Sequence, residues 1–240
     1  MGRQVLIITT NPLSKDKFLS ISSEINIAVL SVEPYLQKDQ YYSHVGYLRL
    51  LVQRTEILFT LLENKIETFL FESDSLWIKN PIPLLQSYAN TSDMVFVHNM
   101  IHRGSTSVNG GFLYMFPTSP TIKVLHELHR MMMKLADTIK NWPPEKAVSE
   151  GENDQVYLNR LVLNKYGGME TTMMPFSEFP DGKWYTASES QRISWHPYVI
   201  HNNWIIGREE KMKRAKQWGH WFMKDNSECD DEQVRKIINL

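Results

Sequence analysis

Two acids one residue apart, Glu72 and Asp74, close the apolar run Ile66-Glu67-Thr68-Phe69-Leu70-Phe71. The run reads as a buried strand, and Leu76-Trp77-Ile78 reads as an apolar turn before a stop at Pro81. Acids at the carboxyl end of a strand in an α/β sheet point into the crevice where such sheets bind ligands. Two carboxylates there make a hard-oxygen site suited to Mg²⁺ or Mn²⁺, and those ions bridge phosphates. That is the chemistry of handling a nucleotide-activated substrate. Acid-x-acid is also an ordinary solvated strand end, so the pair needs support from the rest of the chain.

Three further segments could supply it. Asn109-Gly110-Gly111-Phe112-Leu113-Tyr114 sets an amide and two glycines before a strand. Glycines let a ligand approach the backbone, and a tight turn explains them equally well. Glu152-Asn153-Asp154-Gln155 opens a helix, where acids suit the dipole and capping is the default reading. Asp154 and Gln155 can also hold sugar hydroxyls, because Asp accepts twice and Gln both donates and accepts. His201-Asn202-Asn203-Trp204 follows the apolar Tyr198-Val199-Ile200. A His at a strand end can be a third metal ligand or a purely structural residue. Beyond Gly207, Lys211 and Lys213 can meet a diphosphate or form a solvated helix face.

Other candidates carry less. Met131-Met132-Met133 fill core and surface on one helix. His126 and His129 share a helix face without an acid pair. The sequence has no GxGxxG, GxxxxGK[ST] or GxSxG. Its one cysteine, Cys229, excludes a disulfide within the chain.

The elements that must position these residues alternate in the first hundred positions. Strands are read at residues 5–9, 25–32, 66–72 and 94–98. Ser43 is read as the cap of a helix over 43–62, with Tyr47, Leu50, Leu51, Arg54, Leu58 and Leu61 at spacings of three and four. That alternation predicts a mostly parallel, Rossmann-like sheet flanked by helices. A strand at 111–116, helices at 120–140 and 152–163, short strands and turns, and a basic, aromatic helix at 209–221 follow. No repeat and no Gly/Ser-rich linker divides the chain, so a single domain over 1–240 is expected.

The 240 residues are 42% hydrophobic and 22% charged, ordinary for a globular protein. A net charge of −1 offers no field to recruit nucleic acid or a membrane surface. No apolar run approaches the ~18 residues that span a bilayer. Met1-Gly2-Arg3-Gln4 leads straight into the first strand, so no leader is read there.

Taken in order, the four segments resemble the nucleotide-diphospho-sugar transferase family, which includes plant xylosyltransferases acting on pectin and arabinosyltransferases acting on extensin. The resemblance runs from about Val5 to Trp221. It implies a GT-A fold, with a nucleotide-binding half at about 1–100 and a sugar and acceptor half at about 101–221. It implies a glycosyltransferase that moves a sugar from a UDP-sugar to a hydroxyl of a glycan, protein or small molecule, with retention and with Mn²⁺ or Mg²⁺. Asp74 and His201 match metal ligands. Glu72, a third candidate ligand, stands where the family usually has Asp. Arg54, Asn109, Gly110 and Lys211 match donor-binding positions, with Glu72 and Asp74 beside them, and Asp154 and Gln155 match the pair beside the reacting sugar. A non-catalytic binder of sugar nucleotides on the same fold, and a metal-dependent nucleotidyltransferase, are the competing expectations. The compartment implied is the Golgi lumen if the chain belongs to a longer anchored protein, and the cytoplasm otherwise.

Overall fold

The computed structural model describes residues 5–99 and 107–238. In chain order the elements are β1 (Leu6–Thr9), α1 (Pro12–Ile21), β2 (Asn26–Val29), α2 (Val45–Glu63), β3 (Thr68–Phe71), β4 (Ser75–Trp77), α3 (Ile82–Gln86), β5 (Met94–His98), β6 (Val108–Met115), α4 (Ser119–Ile139), α5 (Asp154–Leu163), β7 (Thr171–Met173), α6 (Glu189–Ser194), β8 (Val199–His201), α7 (Arg208–Gln217) and α8 (Asp231–Ile237). Short 3-10 turns lie at Pro34–Gln37, Tyr166–Gly168 and Gly182–Thr186.

The class is α/β, as expected, but the pairing is mixed rather than mostly parallel. The central sheet runs β3-β6-β5-β7. In it β6 is antiparallel to both neighbours, and only β5 and β7 are parallel. The other parallel pair, β1 with β2, forms a separate two-stranded sheet, and β4 pairs antiparallel with β8 in another. The first strand is not buried as its apolar run suggested, since Leu6 and Ile8 are exposed. Residues Met1–Gln4, which carried the leader reading, lie outside the described residues.

The central sheet is covered on both faces, which is why β5 and β6 are buried along their whole length and mostly apolar. Met94, Phe96, Leu113 and Met115 face one core with α2, α4 and α5. Val95, Val97, Phe112, Tyr114 and Phe116 face a second with Leu85, Phe179 and Val199. On α2 the buried residues Val45, Leu48, Leu51, Val52, Thr55, Leu58 and Leu62 recur at helical spacing, and on α4 Val124, Leu125, Leu128, Met132, Leu135 and Ile139 do the same. Among the described residues no helix is long and apolar enough to cross a membrane.

Three local expectations change. Ser43 does not cap α2: it has φ 57°, and His44 occupies the cap position without a side-chain bond. Leu76 and Trp77 are not a turn but part of β4, paired with Ile200 and Val199. Asn109, Gly110 and Gly111 lie inside β6 rather than ahead of it.

Candidate active site

The β4–β8 ladder brings the two ends of the sequence pattern together. Ser75 pairs with His201, so Asp74 and His201 meet at one end of this ladder. The Asn202 N–H donates to the Asp74 carbonyl at 3.0 Å and fixes that register. Glu72, just past β3, has its N–H bonded to the Gly111 carbonyl at 3.1 Å. Four elements from both halves of the sequence thus converge on one point.

There His201 Nε2 lies 3.1 Å from Glu72 Oε2 and 3.3 Å from Asp74 Oδ1. One ligand atom from each of Glu72, Asp74 and His201 falls within 4.8 Å of the other two. Two carboxylate oxygens and an imidazole nitrogen fit a divalent cation of the Mn²⁺ kind, and among the described residues this is the one cluster that does. Asn109 Nδ2 lies 3.2 Å from Nδ1, the other ring nitrogen of His201, and orients the ring from behind. Its Oδ1 accepts from the Gly111 N–H at 3.0 Å, so the amide itself is held.

Cations flank the cluster. Lys211 Nζ, from the first turns of α7, lies 2.7 Å from Asp74 Oδ2. Burial would raise the Asp74 pKa, but the His201 hydrogen bond and the charges of His201 and Lys211 outweigh it and hold the carboxyl well below the usual range. Burial likewise opposes ionisation of Glu72, and the His201 bond and the Arg54 charge lower it on balance. For His201, burial works against the charged ring and the two acids prevail, pushing its pKa up to about 9.

Arg54, from α2, does not stand free for phosphates. Its Nε and Nη2 lie 3.0 Å and 2.5 Å from Asp154 Oδ2, and Nη1 lies 3.3 Å from Glu72 Oε1. Asp154 is therefore tied to the metal-side acids through one guanidinium. Nor is Asp154 the cap of α5. Asn153 takes that role, its side chain accepting from the Val156 N–H at 2.9 Å. The default capping reading of Asp154 is replaced by a buried ion pair. Gln155 Oε1 accepts from the Gly110 N–H at 2.9 Å, and a Cβ on Gly110 would come within 3.1 Å of the Gln155 side chain. A Cβ on Gly111 would lie 2.5 Å from the Glu72 carboxyl carbon. Both glycines let site side chains pack directly against the β6 backbone. Of the cations named from sequence, Lys213 has no described contact with the cluster.

Sequence reasoning passed over Arg214. It donates from Nε to Asn202 Oδ1 at 2.6 Å and from Nη2 to the Asn203 carbonyl, while Asn202 Nδ2 donates to the Lys211 carbonyl at 3.1 Å. These bonds lock the segment after His201 to α7 and so set where Lys211 sits. Its spacing of three from Lys211 was the available signal.

An α/β fold with a carboxylate–histidine cluster flanked by cations can bind a metal-bridged phosphate group. Residues 14–215 match the family model described as nucleotide-diphospho-sugar transferase, and the chain belongs to that family. It is 22% identical over 198 residues to UDP-D-xylose:L-fucose alpha-1,3-D-xylosyltransferase 3 of Arabidopsis thaliana, covering 80% of this chain and 52% of that one. It is 26% identical to the beta-arabinofuranosyltransferase RAY1 of the same organism, covering 79% and 38%. A UDP-galactose:fucoside alpha-3-galactosyltransferase of Dictyostelium discoideum is 19% identical, covering 85% and 34%. The chain thus spans about half the length, or less, of these curated relatives. Among solved structures, a glycosyltransferase involved in glycosylation of the major capsid of PBCV-1 aligns at a TM-score of 0.46 and 14% identity, over 87% of this chain and 98% of that one.

Proposed function

We propose that this chain is a GT-A glycosyltransferase that moves a sugar from a UDP-sugar to a hydroxyl of a glycan acceptor, with retention of anomeric configuration. The observation that carries the reading is the meeting of Glu72, Asp74 and His201 with Lys211 on Asp74. Three carboxylates, Glu72, Asp74 and Asp154, face two permanent cations, Arg54 and Lys211. A protonated His201 brings the metal-free cluster to neutrality; a divalent ion ligated by Glu72, Asp74 and His201 would take that proton's place and leave a one-charge excess, which suits a diphosphate. When bound, such an ion supplies Lewis acidity toward the departing phosphate oxygen. Lys211 adds a second positive charge there as the bond to the anomeric carbon breaks. The sugar gains oxocarbenium character that the Asp154 carboxyl group stabilises, while Gln155, its Oε1 held by the Gly110 N–H, offers Nε2 to the sugar hydroxyls.

Two of the three relatives are named for an L-fucose or fucoside acceptor. We carry that class over: the acceptor is a terminal 6-deoxyhexose of a glycan.

The test is release of free nucleoside diphosphate from a panel of sugar nucleotides with Mn²⁺, with and without methyl α-L-fucoside. Release faster with acceptor, abolished by chelator, and an α-linked product by NMR are expected. Release that ignores the acceptor overturns transfer in favour of hydrolysis. Binding of a donor without release makes the chain a non-catalytic relative.

A further inference from the structure

Trp204 stands out in the link between His201 and α7. It has φ 58°, a left-handed conformation that costs a bulky side chain free energy and persists only where its surroundings impose it. Here they do. The indole Nε1 donates to Asp181 Oδ2 at 2.5 Å, and Asp181 is only 1% exposed. The Asp181 Oδ1 also accepts from the Lys183 N–H at 2.9 Å, so its carboxylate is fixed in turn. Gly182 packs so close to Asn203 that a Cβ there would lie 1.9 Å from the Asn203 carbonyl oxygen, and its N–H donates to Asn203 Oδ1 at 2.7 Å. The His201 N–H reaches the Pro180 carbonyl at 3.0 Å. Residues 180–183 therefore clamp residues 201–204 bond by bond.

All this order ends in a large side chain that is not buried. Trp204 is 47% exposed. Its ring edge is anchored through Nε1, and the Lys183 ammonium lies 4.9 Å from the ring centroid. Folding gains little from an exposed indole, so a strained backbone and a buried carboxylate spent on aiming it point to a ligand. Two residues, Asn202 and Asn203, separate it from His201, so the two Cα atoms lie at most about 11 Å apart.

We propose that Trp204 is the platform for the acceptor sugar, packing against the apolar C–H face of its ring; this rests on the transferase reading above. A 6-deoxy sugar suits such a surface, because the methyl carbon replaces a hydroxymethyl group and extends the apolar face. The indole anchor is rigid, so it orders the acceptor without much loss of side-chain freedom.

The experiment compares wild type with Trp204→Leu, which keeps apolar bulk and removes the aromatic face, and with Trp204→Tyr, which keeps a ring. Acceptor KM for methyl α-L-fucoside, affinity for UDP with Mn²⁺, and thermal stability are read on each. A rise in acceptor KM of roughly tenfold or more is expected for Trp204→Leu, as one aromatic stacking contact carries. UDP affinity should hold in both variants, and Trp204→Tyr should recover most of the acceptor KM. An unchanged KM in a folded Trp204→Leu overturns the proposal, and so does a parallel loss of UDP affinity. If wild type transfers to no acceptor, the transferase reading fails on its own. Binding of methyl α-L-fucoside, followed by NMR of the indole N–H signals, then decides the platform: loss of that binding in Trp204→Leu upholds it, and binding that is absent or unaltered overturns it.

Discussion

Arg54 sends two nitrogens to one oxygen of Asp154, a hundred residues away, and a third to Glu72. Residue types and positions marked Glu72 and Asp154, and the family resemblance added Arg54, but no spacing rule joins residues so far apart. What the sequence left open was whether Asp154 merely caps a helix, and Asn153 now fills that role. The two roles differ in energy. Losing an N-cap to a good substitute costs well under ~1 kcal/mol. Removing the Asp154 charge leaves the half-buried Arg54 with Glu72 as its remaining charged partner and costs about 2 kcal/mol. Asp154→Asn should therefore lower the urea unfolding free energy by about that much, with Arg54→Met adding little on top in the double variant. If Asp154 also stabilises the sugar, the same variant loses turnover by roughly a hundredfold while its affinity for UDP holds. A small stability loss with normal turnover would return Asp154 to a passive role.

At the scale of elements, the long ones were legible and the short ones were not. Periodicity over many residues placed α2 and α4, because each buries one stripe against the sheet, and the acids of its first turn placed α5. β4 has three residues, too few for a period, and its partner β8 lies more than a hundred positions on. Only the ladder reveals that Leu76 and Trp77 are strand. The two glycines of β6 looked like a turn for a similar reason: their use is set by what packs on them. Gly111 leaves room for the Glu72 carboxyl group, which is the movable end of a flexible side chain. Gly111→Ala should thus push Glu72 away from His201 and leave the fold standing. Calorimetric titration should show weaker Mn²⁺ binding, by about tenfold or more given a lost ligand-sphere contact, with a melting temperature near wild type. Unchanged Mn²⁺ affinity would remove Glu72 from the ligand set.

The end of α7 offers a second test at this scale. His220 lies 3.0 Å from the Tyr185 hydroxyl through Nδ1 and against the rings of Trp184 and Tyr185. Burial lowers its pKa to about 4. Arg192 and Arg214 sit over rings of the same cluster and add positive charge beside the imidazole, which disfavours its protonation further. The unfolded histidine titrates near about 6.5 and binds the proton first, so stability is fully present above that pH and is lost as pH falls toward 4. The loss is at most about 3 kcal/mol. Melting temperatures taken from pH 7 to pH 4.5 should fall less steeply for His220→Gln than for wild type. Parallel curves would show that His220 is not what titrates.

Over the whole molecule, the two halves read from sequence do not stand apart at the site. Glu72 and Asp74 come from the first half, and Asn109, Asp154, His201 and Lys211 from the second. The first half reaches the second through the β3–β6 and β4–β8 ladders and through the shared core of α2 and α4. We take this as support for one domain, and a single cooperative thermal transition is the expected outcome. The same geometry makes ligand binding a whole-molecule event, since a metal-bridged diphosphate would join residues from both halves. Anything that binds only the folded state at about a hundred times its Kd stabilises it by about 2.7 kcal/mol. For a chain of this size that raises the melting temperature by about 5–10 °C. UDP with saturating Mn²⁺ should produce that shift across the whole transition, and UDP with chelator should produce almost none. The charges explain the difference: with no divalent ion the protonated His201, Arg54 and Lys211 only balance the three carboxylates, so no net positive charge is left to hold the diphosphate. Scanning calorimetry on one preparation in both conditions decides it. Equal shifts would separate nucleotide binding from the metal, and two resolved transitions of which only one moves would divide the chain into two domains.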